Sequence, residues 1–221
     1  PYGRHFKRGW GPSMTARTAW IIQELPAFAV ILIVAINHYT TISITQMFFI
    51  LIWQVHYFHR TFIYPFNIGS PKKPYPVLLV IIAIAFNVIN GLLNSYEVLV
   101  FKSYEMEWLL SWQFLLGVVV FILGYIINKD SDRRLLQLKS SSGEYGIPRG
   151  GMYRFITCPN YFGELLEWLG WAIMTWSTAG FGFFIFTFCN LFPRALSNHR
   201  WYKGNFKDYP DNRKAIIPFL I

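Results

Sequence analysis

VLLVIIAIAFNVINGLL, residues 77–93, contains no charged side chain and almost no polar one. A helix in water keeps a polar face, whereas one that is apolar nearly all round belongs in a protein core or in lipid. About 20 such residues cross the ~30 Å of a bilayer's hydrocarbon layer. The stretch therefore reads as a membrane span. Working outward, five more apolar stretches lie at 19–37, 42–63, 112–127, 160–176 and 179–196. Several are impure: the first holds Gln23, Glu24 and Pro26, the second Gln54, His56, His59 and Arg60.

Composition agrees with lipid as the solvent. Of the 221 residues, 54% are apolar and 19% aromatic, and only 14% are charged, against roughly 25% charged in an average soluble domain. A disordered chain, a nucleic-acid-binding domain and a disulfide-stapled mini-protein fit poorly. Cys158 and Cys189 are too few for a disulfide framework or a cysteine metal site and read as small buried apolar residues.

The twenty Lys and Arg residues sort by connection. Arg4, Lys7, Arg8 and Arg17 precede the first stretch; Arg60, Lys72 and Lys73 flank the second connection; Lys102 stands alone on the third. Six more lie between the fourth and fifth stretches and six at the C-terminal end. All but Lys102 thus fall on alternate connections, hence on one face, which the positive-inside rule puts in the cytosol. The expected fold is an all-α integral membrane protein, with six spans in a single domain over 1–221 and the C-terminus cytosolic. Topology signalling accounts for many of these charges. The two longest cytosolic pieces, 128–157 and 194–221, also mix acids, bases, glycines and aromatics, as loops that close over an anionic ligand would.

Carboxylates inside spans are costly and usually face a cavity or the bundle interior. Glu24 lies beside Gln23; Glu164 and Glu167, three apart, share a helix face; Asn87, Asn90 and Asn160 add amides at similar depth. Each amide alone has a plain reading as an interhelical hydrogen bond. Three carboxylates with no lysine among the spans favour a functional cavity. A desolvated carboxyl that keeps its proton is a hydrogen-bond donor, and Tyr57 is a second. Two such donors converging on one oxygen favour developing enolate charge. His56 and His59 have metal-ligand spacing, but His5, His38 and His199 are scattered and no metal site is expected. Residues 146–151, GIPRGG, match neither a Walker A loop nor a dinucleotide fingerprint, and the chain lacks the alternating strands and helices of a conventional dinucleotide fold.

Ordered along the chain are AWIIQELP (19–26), VHYFHRTF (55–62), KPYP (73–76), Asn128, Ser131 with Asp132, YGIP (145–148), GG (150–151), NYFGELLEW (160–168), Arg194 with Ala195, His199 with Arg200, Tyr202, DYP (208–210) and RKAIIPF (213–219). In these the chain closely resembles the membrane steroid 5-alpha-reductases, the 3-oxo-5-alpha-steroid 4-dehydrogenases. The resemblance implies seven spans in the full-length protein, with the first of them upstream of residue 1, since residues 2–5 match the piece that follows it. It also implies NADPH-dependent reduction of the C4–C5 double bond of a 3-oxo-Δ4 steroid, with hydride to C5 and a proton to C4. Tyr57 and Glu24, with Gln23 beside them, would polarise the C3 carbonyl, and Trp20 and Phe86 would line the steroid pocket. Tyr2, Arg60, Lys73, Asn128, Asp132, Lys139, Tyr145, Asn160, Glu164, Arg194, Asn198 and Tyr202 would hold NADPH, and Glu167 would be a structural partner in the same polar cluster.

Departures from the family pattern fall on the cofactor side. Lys73 and Lys139 stand where arginine is frequent, Gly146 replaces an arginine that Arg149 could compensate, and Asp130 and Asn198 replace histidines. Rival readings are a reductase of another enone or isoprenoid, of polyprenol or enoyl-CoA type; an isoprenylcysteine methyltransferase-like protein; and a non-enzymatic sterol-binding protein. Gln23–Glu24–Leu25–Pro26 together with His56–Tyr57 favours the steroid branch. A monomer in lipid is expected, without nucleic acid or metal, in the endoplasmic reticulum of a eukaryote or the inner membrane of a bacterium.

Overall fold

A short antiparallel ribbon, β1 (Ser13–Thr15) on β2 (Pro74–Pro76), pairs Met14 with Tyr75 and ties together the segments that enter two long helices. These are α1 (Ala16–Asn37), capped by the Thr15 hydroxyl, and α4 (Val77–Tyr96). The computed structural model describes residues 10–142 and 146–221, with side chains throughout except at 139–142. The chain divides into two compact units, Pro1–Trp108 and Leu109–Ile221.

In the first unit, α1 and α4 run the same way, since Asn87 meets the Gln23 carbonyl and Gly91 faces Val30. Between them in sequence, α2 (Ile44–Phe58) opens with a reciprocal capping box between Ser43 and Gln46. It widens into a π-helical turn, His59–Ile63, and ends in the single turn α3 (Tyr64–Asn67). Pro26 inside α1 removes one backbone donor and disturbs the preceding turn. In lipid every backbone polar group needs a partner within the protein. Around Pro26 the carbonyl of Gln23 accepts from Asn87 Nδ2 at 2.6 Å, that of Ala27 from Trp53 Nε1 at 2.8 Å and that of Phe28 from Gln54 Nε2 at 2.9 Å. A second π turn, Glu97–Phe101, prolongs α4. The Gln46 amide donates to the carbonyls of Val98, Leu99 and Lys102 at its end.

The second unit is built on α5 (Trp112–Ser142) and α6 (Pro159–Thr175), which pack antiparallel on a glycine seam. A methyl group at Gly124 would lie 2.6 Å from the Gly163 carbonyl oxygen, and one at Gly170 2.6 Å from that of Gly117. The backbones touch. The pairs Gly117–Gly170 and Gly124–Gly163 recur every seven residues, the period that keeps one seam aligned between two helices. Small residues of this kind allow close approach where lipid offers no hydrophobic drive to helix association. After α6, Trp176 takes a left-handed conformation (φ 46°) and Ser177 caps α7 (Thr178–Asn205). The C-terminal segment returns to the start of α6: Thr157 and Cys158 donate to the carbonyls of Lys214 and Ala215.

The all-α membrane architecture is therefore as the sequence implies. Six long helices occupy the six apolar stretches, and four of them are long and apolar enough to cross a membrane: α1, α4 with its π turn, α5 as far as Leu138, and α7. The other two are shorter as single α-helices, 15 residues for α2 and 17 for α6. Outward-facing Ile33, Leu51, Leu123 and Phe181 are more than half exposed, as lipid-facing side chains are.

Candidate functional site

In the first unit Trp20, Gln23 and Glu24 share a face of α1, by helical spacing. The Arg60 guanidinium, delivered by the first π turn, meets that face. It lies over the Trp20 ring at 4.6 Å and the Tyr64 ring at 5.1 Å, and its Nε is 3.9 Å from Glu24 Oε1. Trp20 and Tyr64 are themselves edge to face at 5.1 Å. Stacking suits the planar guanidinium, and π turns inside α-helices recur at functional sites. Gln23 Nε2 reaches Glu24 Oε1 at 3.4 Å, while Gln23 Oε1 is buried with no hydrogen-bond partner among the described residues. Tyr57 precedes Arg60 by three positions and is only 3% exposed, its ring against Trp53 and His56. Phe86 is half-buried on α4, next to the Asn87 that bonds α1.

Tyr75 belongs to this neighbourhood although only its motif marked it in the sequence. Burial pushes its phenol above the usual tyrosine range; the negative charge of Glu24 adds to this and the Arg60 cation partly offsets it. The phenol is thus a protonated donor at neutral pH. Lys73 sits just before β2, with its carbonyl accepting the Ala16 N–H at 2.9 Å.

In the second unit the glycine seam brings a row of amides together. Asn128 Nδ2 donates to the Asn160 carbonyl at 2.9 Å, and Asn160 Nδ2 reaches Asp132 Oδ1 at 3.3 Å. Asn128 is 3% exposed and its Oδ1 has no partner among the described residues. Glu164 follows Asn160 by one turn of α6, and Glu167 is fully buried against the same seam. On α7, Arg194 and Asn198 are one turn apart; Asn198 Nδ2 lies 3.7 Å from Cys158 Sγ, at the start of α6. The Tyr202 ring stacks with Phe206 and Tyr209. Asp130, at a departure from the family pattern, pairs with Arg133 at 2.7 Å and Arg134 at 2.6 Å. Tyr2, Tyr145 and the side chain of Lys139 lie outside the described residues.

Arg213 is the residue that sequence reasoning passed over. It is 4% exposed, donates through Nη2 to the Pro148 carbonyl at 2.9 Å and lies over the Tyr209 ring, yet Nε and Nη1 have no partner among the described residues. A buried guanidinium without a carboxylate is costly and suits an anion. Nearby, the Thr157 hydroxyl joins His199 Nδ1 at 2.5 Å and the Tyr209 phenol at 2.6 Å. Tyr153 donates to the Ser131 carbonyl at 3.3 Å; burial raises its phenol well above the usual range, and the charge of Asp132 adds to the effect.

Residues 73–221 match the family model described as 3-oxo-5-alpha-steroid 4-dehydrogenase. The whole chain is 43% identical to a protein of Arabidopsis thaliana named Steroid 5-alpha-reductase DET2, of which the match covers 87%. It is 38% identical to 3-oxo-5-alpha-steroid 4-dehydrogenase 1 of Bos taurus, over 100% of this chain and 88% of that protein. Against 3-oxo-5-alpha-steroid 4-dehydrogenase 2 of Rattus norvegicus the identity is 41%, over 99% of this chain and 87% of that one. The chain belongs to this family. As a 3-oxo-5-alpha-steroid 4-dehydrogenase family member it is an oxidoreductase of the membrane. Among the described residues no three His, Cys, Asp or Glu side chains converge as a metal site.

Proposed function

We propose that this protein reduces the C4–C5 double bond of 3-oxo-Δ4 steroids to 5α-dihydro steroids. The observation that carries the reading is the Gln23–Glu24–Arg60 cluster under the Trp20 and Tyr64 rings, with Tyr57 buried one turn before Arg60. A conjugated enone accepts hydride at its β-carbon only if its carbonyl oxygen can take up negative charge. The Tyr57 phenol and the Glu24 carboxyl, when it carries its proton, donate hydrogen bonds to that C3 oxygen. Arg60 holds the resting Glu24 in an ion pair, so Glu24 takes up its proton as the steroid displaces that contact, and Gln23 orients the carboxyl. Each well-placed donor lowers such a barrier by about 3–4 kcal/mol. Trp20 and Phe86 hold the steroid rings, and the protonation of C4 completes the reaction.

NADPH, when bound, supplies the hydride. Its fit rests on side-chain atoms with no hydrogen-bond partner among the described residues: the Asn128 Oδ1, and Nε and Nη1 of Arg213. Asn128, Asp132, Asn160 and Glu164 would hold its carboxamide end. Arg60, Lys73, Lys139 and Arg194 would meet phosphate charge, with Tyr2, Tyr145, Asn198 and Tyr202 as further contacts. This arrangement calls for a cytosolic face for the basic loops, with the C-terminus on that side, in the endoplasmic reticulum or a bacterial inner membrane.

The test is direct. Purified protein with NADPH and testosterone should give the 5α-dihydro product by mass and configuration, and NADH in parallel should be the poorer donor. No product from folded, NADPH-binding protein overturns the steroid reading in favour of a non-steroid enone.

A further inference from the structure

Arg17 lies in the first turn of α1, where the helix dipole favours an anion, and that turn has no acidic residue. A charge that served only to orient the chain in the membrane would do so from any nearby position. The contacts of Arg17 are more specific. Its Nε donates to the Pro65 carbonyl of α3 at 3.3 Å, its guanidinium lies over the Phe66 ring at 5.2 Å, and its backbone N–H donates to the Pro71 carbonyl at 3.1 Å. The last carbonyls of a helix lack donors from within it, so a side chain that supplies one also fixes where that helix stops. The adjacent Ala16 N–H donates to the Lys73 carbonyl at 2.9 Å.

We propose that Arg17 is a positioning residue for cofactor binding. Its side chain clamps α3 to the start of α1, beside the backbone bond from position 17 to the Pro71 carbonyl, and so sets Arg60, in the π turn that runs directly into α3, together with Lys73. The inference rests on the reading of Arg60 and Lys73 as phosphate-binding cations made above. Phosphate recognition requires cations held in place by neighbours whose own conformations are locked. A planar fork hydrogen-bonds and stacks at once in one rigid geometry, which an ammonium on a flexible stem holds far less well.

The charge-preserving variant separates a clamp from a simple charge. Arg17→Lys and Arg17→Gln would be made in the full chain, in detergent, with three readouts: amide hydrogen exchange over 66–73, NADPH dissociation constant by tryptophan fluorescence, and kcat at saturating NADPH. Both variants should speed exchange in 66–73 while leaving 112–142 at wild-type protection. Both should weaken NADPH roughly tenfold, about the loss of one charge-assisted hydrogen bond, with kcat within about twofold of wild type. An Arg17→Lys protein with wild-type exchange and affinity overturns the clamp, as does a fall in kcat with affinity unchanged. Arg60→Gln and Lys73→Gln supply the separate check. If exchange in 66–73 responds to Arg17 but neither of these two variants weakens NADPH, the clamp stands as architecture and the reading of the two cations fails.

Discussion

Gly163→Ala tests whether backbone contact between α5 and α6 builds the amide row. The added methyl would lie 2.5 Å from the Asn128 nitrogen, 2.6 Å from the Gly124 carbonyl oxygen and 2.9 Å from Asn128 Cα. All three are backbone atoms of a helix, so no rotamer change relieves the clash. To reach ordinary carbon contact distances of ~3.5 Å, the helices must separate by about 1 Å at this level. Overpacking of that kind costs about 1–3 kcal/mol. The Asn128–Asn160 hydrogen bond, 2.9 Å and one turn away, would open beyond hydrogen-bond range, a further loss of about 1 kcal/mol. The expected phenotype is a lowered melting temperature together with NADPH affinity reduced about tenfold or more, read by thermal denaturation and fluorescence titration in the same detergent. Gly182→Ala is the control: on α7, a methyl there meets nothing within 4 Å, so NADPH affinity should be unchanged and the melting temperature should hold or rise slightly, since alanine favours a helix over glycine. A Gly163→Ala protein with wild-type melting and NADPH binding would refute the seam as the determinant of the amide geometry.

Tyr57→Phe and Glu24→Gln should each lower kcat roughly 10²–10³-fold with the NADPH dissociation constant largely kept; near-normal turnover in both removes the carbonyl-polarising role. Arg213→Met replaces a buried cation by an apolar side chain of similar length, so the melting temperature should hold or rise while NADPH affinity drops, and preserved affinity would show that the guanidinium meets no phosphate. Tyr75 carries a raised phenol pKa, so its stabilising contribution is complete below the ordinary tyrosine pKa and is lost as pH climbs through the higher folded value. Difference absorbance at 295 nm between wild type and Tyr75→Phe should therefore show a tyrosine that ionises late. Glu24→Gln should bring that midpoint down; no movement would separate Tyr75 from Glu24.

What the sequence makes legible here is what hydropathy and charge encode. The apolar run at 77–93 and its five companions mark the helices because lipid demands long apolar stretches, and the polar residues within them mark the interior faces because lipid penalises them elsewhere. Trp20, Gln23 and Glu24 follow from helical spacing plus motif. The seam does not, since four glycines seven apart in two separate helices, at 117 and 124 and at 163 and 170, look like scattered small residues until the helices face each other. Arg213 was hidden for a related reason. Its basic neighbours at the C-terminal end make it one more topology charge, and only burial against Pro148 and Tyr209 sets it apart. Tyr75 lay in plain view inside KPYP, but its link to Glu24 depends on the ribbon that turns residues 74–76 back onto the start of α1.

The polar groups of the first unit are tolerable in lipid because they serve the backbone as well as the site. Pro26 takes the donor of the Ile22 carbonyl out of the α1 ladder beside Glu24, and side chains from α2 and α4 bind the backbone around it: Asn87, Trp53 and Gln54 donate to carbonyls at 23, 27 and 28. The π turn after α2 carries Arg60 to Glu24, and the π turn after α4 is closed by the Gln46 amide. Gln46, Gln54 and Asn87 each donate their amide N–H to a backbone carbonyl, which spares hydrocarbon an unpaired donor. Irregular backbone and buried polar side chains are thus two halves of one solution. It places a carboxyl, a phenol and a guanidinium at membrane depth without first requiring a ligand to satisfy them. Replacing Pro26 by Leu should therefore do more than straighten α1. It gives the Ile22 carbonyl back its helix donor, straightens the turn that carries Gln23 and Glu24, and draws the Gln23 carbonyl away from Asn87, so testosterone affinity should fall in equilibrium binding, and an unchanged affinity would refute the role of the bend.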